Sequence, residues 1–317
     1  MINSVRNTVL AVLNKNNYGY ISPSDFNLFA KQAQLEVFDE MMSEYNKAIN
    51  RANIRRSGTG YADEKKGIEE AMDVFSVTKF LLRDTANKFF LPSQVTTNDD
   101  YYLINKVLCY STVLQAGTSS GNVINSLFDS TALFITNGVT EGDIVVNTAT
   151  DVEAIVTNVI SETTIQLSAD IFTAFPEGYA VYDADDAREA EKVSHSKITM
   201  LNMSNLTKPN TYYPAYSQEE LLMSVFPSTI RSNGRVQAQY LRYPKDPKWT
   251  YVTLTNGEPS FDQSQPDYQD FEVPIEDEVT LVVKILQYAG ISIRENEVYT
   301  YAKIEEREAS QQQQPEQ

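Results

Sequence analysis

The feature that most constrains the fold of this chain is a change in hydrophobic period near residue 130. In much of the chain before it, up to about residue 82, apolar side chains recur every three or four residues, as they do in amphipathic helices. From residue 130 to residue 183 they occur instead in short runs that turn residues separate. Glycines punctuate these runs at Gly138, Gly142 and Gly178. Such a pattern is typical of a small β-barrel or β-sandwich. We therefore predict a β-module of about five strands over residues 116–183, inserted into a core of residues 1–115 and 184–317.

The core begins with two predicted helices. Apolar residues lie at helical spacing over residues 3–13, which predicts a short amphipathic helix. Ser22 then offers a capping hydroxyl, Pro23 suits a first helical turn, and Asp25 places a carboxylate near the positive end of a helix. A long second helix should therefore start here and run to about residue 50.

The same periods predict the other elements of the core. Helical patterns occur around residues 68–82, 183–193, 275–289 and 293–308. Strand patterns occur at residues 87–91, 101–114, 221–230, 235–243 and 251–254. Residues 309–317 are rich in glutamine and predict a disordered tail or a tip that binds a partner. The predicted fold class is α+β: a helical base with an antiparallel β region and an inserted small all-β barrel or sandwich module.

Charge and cysteine content limit the possible functions. The chain has 43 acidic and 26 basic residues, a net charge of −17, whereas free nucleic-acid binders need an excess of Lys and Arg. One cysteine allows neither an intrachain disulfide nor a cysteine-based metal cluster. The first residues lack the basic segment and apolar core of a signal peptide, and no apolar run is long enough to span a bilayer. We expect synthesis in the cytoplasm and no membrane partner.

Catalytic motifs are missing from the sequence. It contains neither a phosphate-binding P-loop nor a G-x-S-x-G nucleophile elbow. His195 lies between two serines, and adjacent residues cannot normally present a nucleophile and a base to each other. Cys109 falls in a strand pattern and is predicted to be a small buried residue. We therefore expect no enzyme, no catalytic residue and no cofactor.

Two segments have the spacing of cation sites. Residues 14–25 match a calcium-binding loop in length, but Asp25 is the only carboxylate among the ligand positions, so a tight turn between helices is favoured. Asp183, Asp185 and Asp186 with Glu189 could hold a hard cation, or could be solvated acids at a helix start. The second interpretation is favoured, and no metal is predicted.

Candidate interface residues fall in three places. The densest basic region could contact an acidic neighbour or DNA, or remain a solvated loop. It comprises the interface candidates Arg51, Arg55 and Arg56 together with Lys65 and Lys66. An aromatic corner could anchor an interface, or could be a rigid corner packed on its own sheet, and the corner is slightly favoured. Its residues are Tyr240, Tyr243, Pro244, Pro247, Trp249 and Tyr251, of which Tyr243, Trp249 and Tyr251 are the interface candidates. The long second helix contributes Phe29 and Phe38.

Three segments carry a resemblance to a known family. They are VRNTVLAVLNKNNYGYISPSDFNLFAKQAQLEVFDEM at the start, the β-module, and PAYSQEELLMSVFPSTIRSNGRVQAQYLRYPKDPKW continuing through QDFEVPIEDEVTLVVKILQYAGISIRENEV. In this last segment a strand, a Tyr-Pro/Pro-Lys-Trp corner, a polar turn and an apolar helix follow one another. The chain resembles the ring-forming head-to-tail connector proteins of crAss-like and related short-tailed bacteriophages. The match covers most of the chain and includes no catalytic motif.

The resemblance implies a structural virion protein at the head–tail junction or in the tail, made in the host cytoplasm. Its partners would be copies of itself in a ring, the portal protein and other neck or tail ring proteins. Phage DNA would pass through the ring without sequence-specific binding, and a negative wall would not grip it. One alternative is a peripheral tail protein or adhesin whose β-module binds a receptor or glycan. Another is a virion enzyme that uses Asp185 or Asp186.

Overall fold

The computed structural model of the protein describes residues 1–14, 21–54, 70–255, 257–292 and 303–304. It is a mixed fold of helices and mostly antiparallel sheets in which strand outweighs helix, so the mixed class is confirmed at this level. The chain divides into two compact units. Unit 1 comprises Met1–Phe75 and Tyr243–Gln317, and unit 2 comprises Ser76–Arg242.

The elements are labelled in chain order. The helices are α1 (Ile2–Asn14), α2 (Pro23–Ile54), α3 (His195–Met203) and α4 (Glu278–Ser292), and a 3₁₀ turn, Ile275–Asp277, precedes α4. The first strands are β1 (Ser76–Phe80), β2 (Lys88–Phe90), β3 (Tyr101–Tyr110), β4 (Val113–Thr118), β5 (Gly121–Val123), β6 (Ser126–Phe128), β7 (Ile144–Asn147), β8 (Val152–Ser161) and β9 (Thr164–Leu167). The later strands are β10 (Gly178–Tyr182), β11 (Ala187–Glu189), β12 (Glu191–Lys192), β13 (Ala215–Glu219), β14 (Leu222–Phe226), β15 (Val236–Arg242), β16 (Tyr251–Thr253) and β17 (Pro259–Phe261).

Unit 1 packs α1, α2 and α4 with the β16–β17 hairpin around one apolar core. The buried stripe of each helix has the three- and four-residue spacing that the sequence predicts. Its members include Val5, Val9, Leu13, Phe26, Ala30, Ala33, Val37, Leu281, Ile285 and Ala289. The predicted start of α2 is confirmed, because Ser22 Oγ accepts a hydrogen bond from the Asp25 amide at 3.1 Å and Ser22 O accepts one from Phe26 at 2.9 Å.

Unit 2 contains two four-stranded sheets that share one core. The first sheet has the order β1-β15-β3-β11 and is antiparallel throughout. The second has the order β12-β13-β14-β2, in which only the β12–β13 pair is parallel. Side chains from both sheets meet in this core, among them Phe89, Val107, Met223, Val225, Val236 and Tyr240.

The third sheet of unit 2 curls into a half-barrel. Its order is β4-β10-β7-β8-β9-β6-β5, and its inner face is filled by Phe134, Val145, Val156, Ile165, Phe172 and Tyr179, among others. It has seven strands rather than the predicted five or so. The predicted strand 101–114 breaks after Tyr110, and the next strand, β4, pairs with β10 instead. The predicted module boundaries, residues 116 and 183, both lie within unit 2.

The helix predicted around residues 68–82 is present only at residues 70–73 among the described residues, and the helix predicted at residues 183–193 was wrong. Residues 76–80 belong to β1, because each residue from Ser76 to Phe80 pairs with a partner in β15. Residues 183–193 form a turn followed by β11 and β12. The turn is fixed by Asp183 Oδ1, which accepts a hydrogen bond from the Asp185 amide at 2.9 Å, a local bond that competes with a helix.

The other predictions differ from the structure mainly at their ends. Helix α4 continues to Ser292 rather than stopping at Gly290, and the strand predicted at residues 221–230 ends at Phe226. The strands predicted at residues 87–91, 235–243 and 251–254 correspond to β2, β15 and β16. Most of the predicted helix 293–308, and all of the predicted tail 309–317, lie outside the described residues.

Candidate functional site

Cys109 and His195 are of residue types that often take part in catalysis, but neither lies in a catalytic arrangement within the part of the chain that the structure describes. Cys109 is fully buried, and burial raises the pKa of its thiol to about 12, more than nearby Arg235 lowers it, so the thiol stays protonated and unreactive. His195 begins α3 at the surface, where its Nδ1 lies 2.6 Å from Glu219 Oε1. Among the described residues, no group of three or more His, Cys, Asp and Glu side chains could hold a metal ion.

The acidic cluster of residues 183–189 fixes a turn. Asp183 caps the Asp185 amide, and Asp186 accepts a 2.5 Å hydrogen bond from Thr112 Oγ1. Asp186 also forms an ion pair with Arg188. These carboxylates therefore hold the connection between the half-barrel and the first four-stranded sheet.

A buried carboxylate organises the inside of the half-barrel. Asp129 is almost fully buried and accepts hydrogen bonds from Tyr179 Oη at 2.7 Å and from the Thr131 amide and hydroxyl at 2.8 Å each. Burial alone would raise its pKa, but these bonds and one from Ser120 outweigh burial and hold the pKa of Asp129 below its usual value. The network anchors the strand edges that carry Tyr179 and Ser120.

A second polar cluster clamps the half-barrel to the first four-stranded sheet. Asp151, in the turn between β7 and β8, pairs with Arg83 Nε at 2.9 Å and accepts a hydrogen bond from the Asn233 amide at 3.0 Å. Asn233 also donates to Asp151 O and accepts from the Arg83 amide, both at 2.6 Å. Because Arg83, Asp151 and Asn233 each make at least two of these contacts, we expect this junction to be rigid.

The aromatic corner is built into the core of unit 1. Trp249 is only 2% exposed, its Nε1 donates to Asn3 Oδ1 at 3.1 Å, and the Arg6 guanidinium lies 3.7 Å from its ring centre. The Asn27 side chain bonds both the amide and the carbonyl of Trp249. Tyr251 and Phe261 stack on the indole. Trp249 therefore ties α1 and α2 to the hairpin.

The predicted interface residues are placed differently from one another. Phe38 is fully buried, as Trp249 is, and leaves little surface for a partner in the folded unit. Phe29 is half-buried and stacks on Tyr288, whereas Tyr243 and Tyr251 are exposed. Contacts of these last three with a neighbouring protein stay a prediction. The basic region at Arg51, Arg55 and Arg56 lies outside the described side chains.

Sequence reasoning missed an exposed apolar segment in unit 2. Residues 192–218, here called the basic apolar segment, include α3 and the loop that follows it. The inner side of α3 is anchored by Ile198, but many of the large apolar side chains of the segment face solvent. These are Met200, Met203, Leu206, Tyr212 and Tyr213. One feature of the sequence could have indicated this segment, because residues 192–218 contain three lysines and no Asp, Glu or Arg.

A second exposed surface in unit 1 combines apolar and acidic residues. Ile275 and Val279 are 75% and 73% exposed at the start of α4. Five acids accompany them: Glu40, Glu44, Glu276, Asp277 and Glu278. This set of seven residues is called the acidic apolar patch below. The sequence could not indicate that α2 and α4 bring it together.

The half-barrel offers few aromatic side chains to solvent. Residues 116–183 contain six Phe and Tyr residues, all of which the structure describes. Phe134, Phe172, Tyr179 and Tyr182 are buried and Phe128 is half-buried, so Phe175 is the one exposed aromatic among the six. Glycan-binding surfaces usually rely on exposed aromatic rings, so the surface of the half-barrel gives little support to the alternative that the protein is an adhesin.

The comparisons with known proteins give no assignment. No protein-family model and no curated protein matches the chain. In the part of the chain that the structure describes, no helix has both the length and the apolar character needed to cross a membrane.

Proposed function

We propose that the protein is a structural subunit of a homo-oligomeric ring in a phage head-to-tail connector or tail. The observation that carries this proposal is the basic apolar segment, where five large apolar side chains face solvent along one stretch of chain. Exposed apolar surface of this kind is costly in a monomer and is typical of a surface that a protein partner covers. The resemblance of the three sequence segments to phage head-to-tail connector proteins supports the choice of this assembly.

The composition supports the second part of the proposal, a path for the genome. A net charge of −17 repels the phosphate backbone, so a ring of such subunits would let DNA slide rather than bind it. In this proposal the helices of unit 1 form the base of the subunit. The portal protein and other neck or tail ring proteins are the neighbours, and the virion is the location.

Mass photometry of the purified protein over a concentration series, with negative-stain images, tests the proposal. We expect closed rings, either with the protein alone or after portal protein is added. A protein that stays monomeric and joins neither portal nor tail proteins would contradict the proposal, and the half-barrel should then be screened for glycan binding.

A further inference from the structure

We propose that neighbouring copies of this chain associate head to tail, with the basic apolar segment of one copy bound to the acidic apolar patch of the next. This inference rests on the proposed ring and specifies its subunit contact. It commits to a second copy of the chain as the partner of both surfaces, for reasons of charge and of apolar character.

The basic apolar segment is unusual within its own chain. Acids outnumber bases 43 to 26 overall, yet residues 192–218 contain Lys192, Lys197 and Lys208 and no acid. All three lysines are exposed. Lys197 has Glu191 at 3.9 Å, a distance at which an exposed pair contributes little. The segment itself therefore carries three lysines and exposed apolar side chains on a strongly negative protein, although Glu191 and Glu219 border it, and acidic surfaces of other copies attract these lysines.

The acidic apolar patch has the opposite charge and the same apolar character. Burial, together with the charges of Glu44, Glu276 and Glu40, raises the pKa of Asp277, so these carboxylates lie close enough to repel one another. Lys284 offsets part of this charge, because its Nζ lies 2.7 Å from Glu40. An approaching lysine would relieve the remaining repulsion, while Ile275 and Val279 supply apolar area.

The two surfaces are different parts of the chain, and this determines the type of assembly. One belongs to unit 2 and the other to unit 1. A contact between two different surfaces leaves a pair of copies with one free segment and one free patch, so association continues until a ring closes or a filament grows. Apolar contacts would provide most of the affinity, and the charges would select the partner surface and its register.

The first test reverses the charge of the segment. Lys197→Glu with Lys208→Glu should raise the protein concentration needed for assembly at least tenfold in mass photometry. The matched control is Lys245→Glu with Lys248→Glu, which makes the same change of charge at two exposed lysines outside both surfaces and should leave assembly unchanged. Equal effects of the two pairs would overturn the proposal, because total charge alone would then explain them.

The second test restores the contact with inverted charges. Glu44→Lys with Glu276→Lys should also block assembly, and the chain that carries all four substitutions should assemble again. Mixing the two double variants should restore assembly with the variants alternating, because the intact segment can bind the intact patch and the reversed segment can bind the reversed patch. If the mixture stays monomeric, or the fourfold variant fails to assemble while it is folded by circular dichroism, the pairing is wrong.

The third test concerns the apolar part. Leu206→Ser should weaken assembly at least fivefold, whereas Val95→Ser should not, although Leu206 and Val95 are equally exposed at 94% and 93%. If wild-type rings form and none of these variants affects them, the ring proposal stands and this contact is rejected. If the wild type never forms rings and binds no portal, the proposed function itself fails.

Discussion

Asp129 is a charged group kept inside a half-barrel by four hydrogen-bond donors. Replacing it by asparagine removes the charge while keeping the size, so the donors lose their charged acceptor. We expect Asp129→Asn to lower the free energy of unfolding by about 1.5–3 kcal/mol at pH 7, the range for hydrogen bonds to charged groups. Urea denaturation measures it, and Asp170→Asn, at an exposed position, serves as the control with little change.

The same residue predicts a pH dependence. The pKa of Asp129 is lower in the folded protein than its usual value, near ~3.9 in an unfolded chain. Its contribution is therefore present above about pH 4 and is lost as the pH falls through the folded-state pKa. The stability gap between wild type and Asp129→Asn should close below about pH 4. A gap that stays constant down to the acid transition would contradict this account.

At the scale of elements, the contact between the half-barrel and the first sheet depends on a glycine. Gly234 has a φ of +72°, and a Cβ placed there would lie 2.9 Å from Val146 Cγ2 and from Glu153 Cβ. Gly138 has a similar φ of +79° but has nothing within 4 Å. Both alanine variants carry the backbone cost of about 1 kcal/mol.

Gly234→Ala carries a packing cost in addition. We expect it to destabilise the protein by about 1–3 kcal/mol more than Gly138→Ala, because overpacking at a close contact costs that much. The difference between the two urea midpoints isolates crowding from backbone strain. Equal losses would mean that the strands separate easily at this point, contrary to the clamp of Arg83, Asp151 and Asn233.

Local signals made some elements predictable and left others hidden. Helices α1 and α2 were predicted because their apolar stripes and the cap at Ser22 lie within a few residues of one another. Strand β1 was missed because its partner β15 lies far away in the sequence, and pairing rather than local preference decides its conformation. The strands of the β-module were predicted from their period, but the half-barrel of seven strands was not, because the pairing of β4 with β10 again depends on distant residues.

The candidate interface surfaces, like the strands, could be predicted from the sequence only in part. Aromatic residues suggested contacts at Trp249 and Phe38, but residue type cannot tell a buried ring from an exposed one. The basic apolar segment and the acidic apolar patch depend on exposure and on the packing of α2 against α4, which the sequence does not state. Only the missing acids in residues 192–218 were readable beforehand.

At the scale of the whole molecule, the chain enters and leaves unit 2 at neighbouring points. Ser76 in β1 pairs with Leu241 in β15, so the two ends of unit 2 lie side by side. The two residues of unit 1 that flank unit 2 in the sequence, Phe75 and Tyr243, both contact the ring of Phe38. We expect residues 76–242, expressed alone, to fold and to unfold cooperatively in urea.

A shorter fragment provides the comparison. Residues 116–183 alone would lack the first part of β4 and also Tyr110, which packs on the outer face of β7 and β10. We expect this fragment to lose cooperative unfolding by circular dichroism. If it folds as well as residues 76–242, the half-barrel is an independent domain, and the predicted boundaries at residues 116 and 183 are the better description.

The position of Trp249 gives the protein a built-in optical probe. It is the only tryptophan of the chain, and it is enclosed by Arg6, Asn3 and two stacked rings in unit 1. Excitation at the red edge of protein absorption therefore reports on unit 1 alone, while far-ultraviolet ellipticity reports on both units. Two unfolding curves from one sample would tell whether the units melt together, without any label.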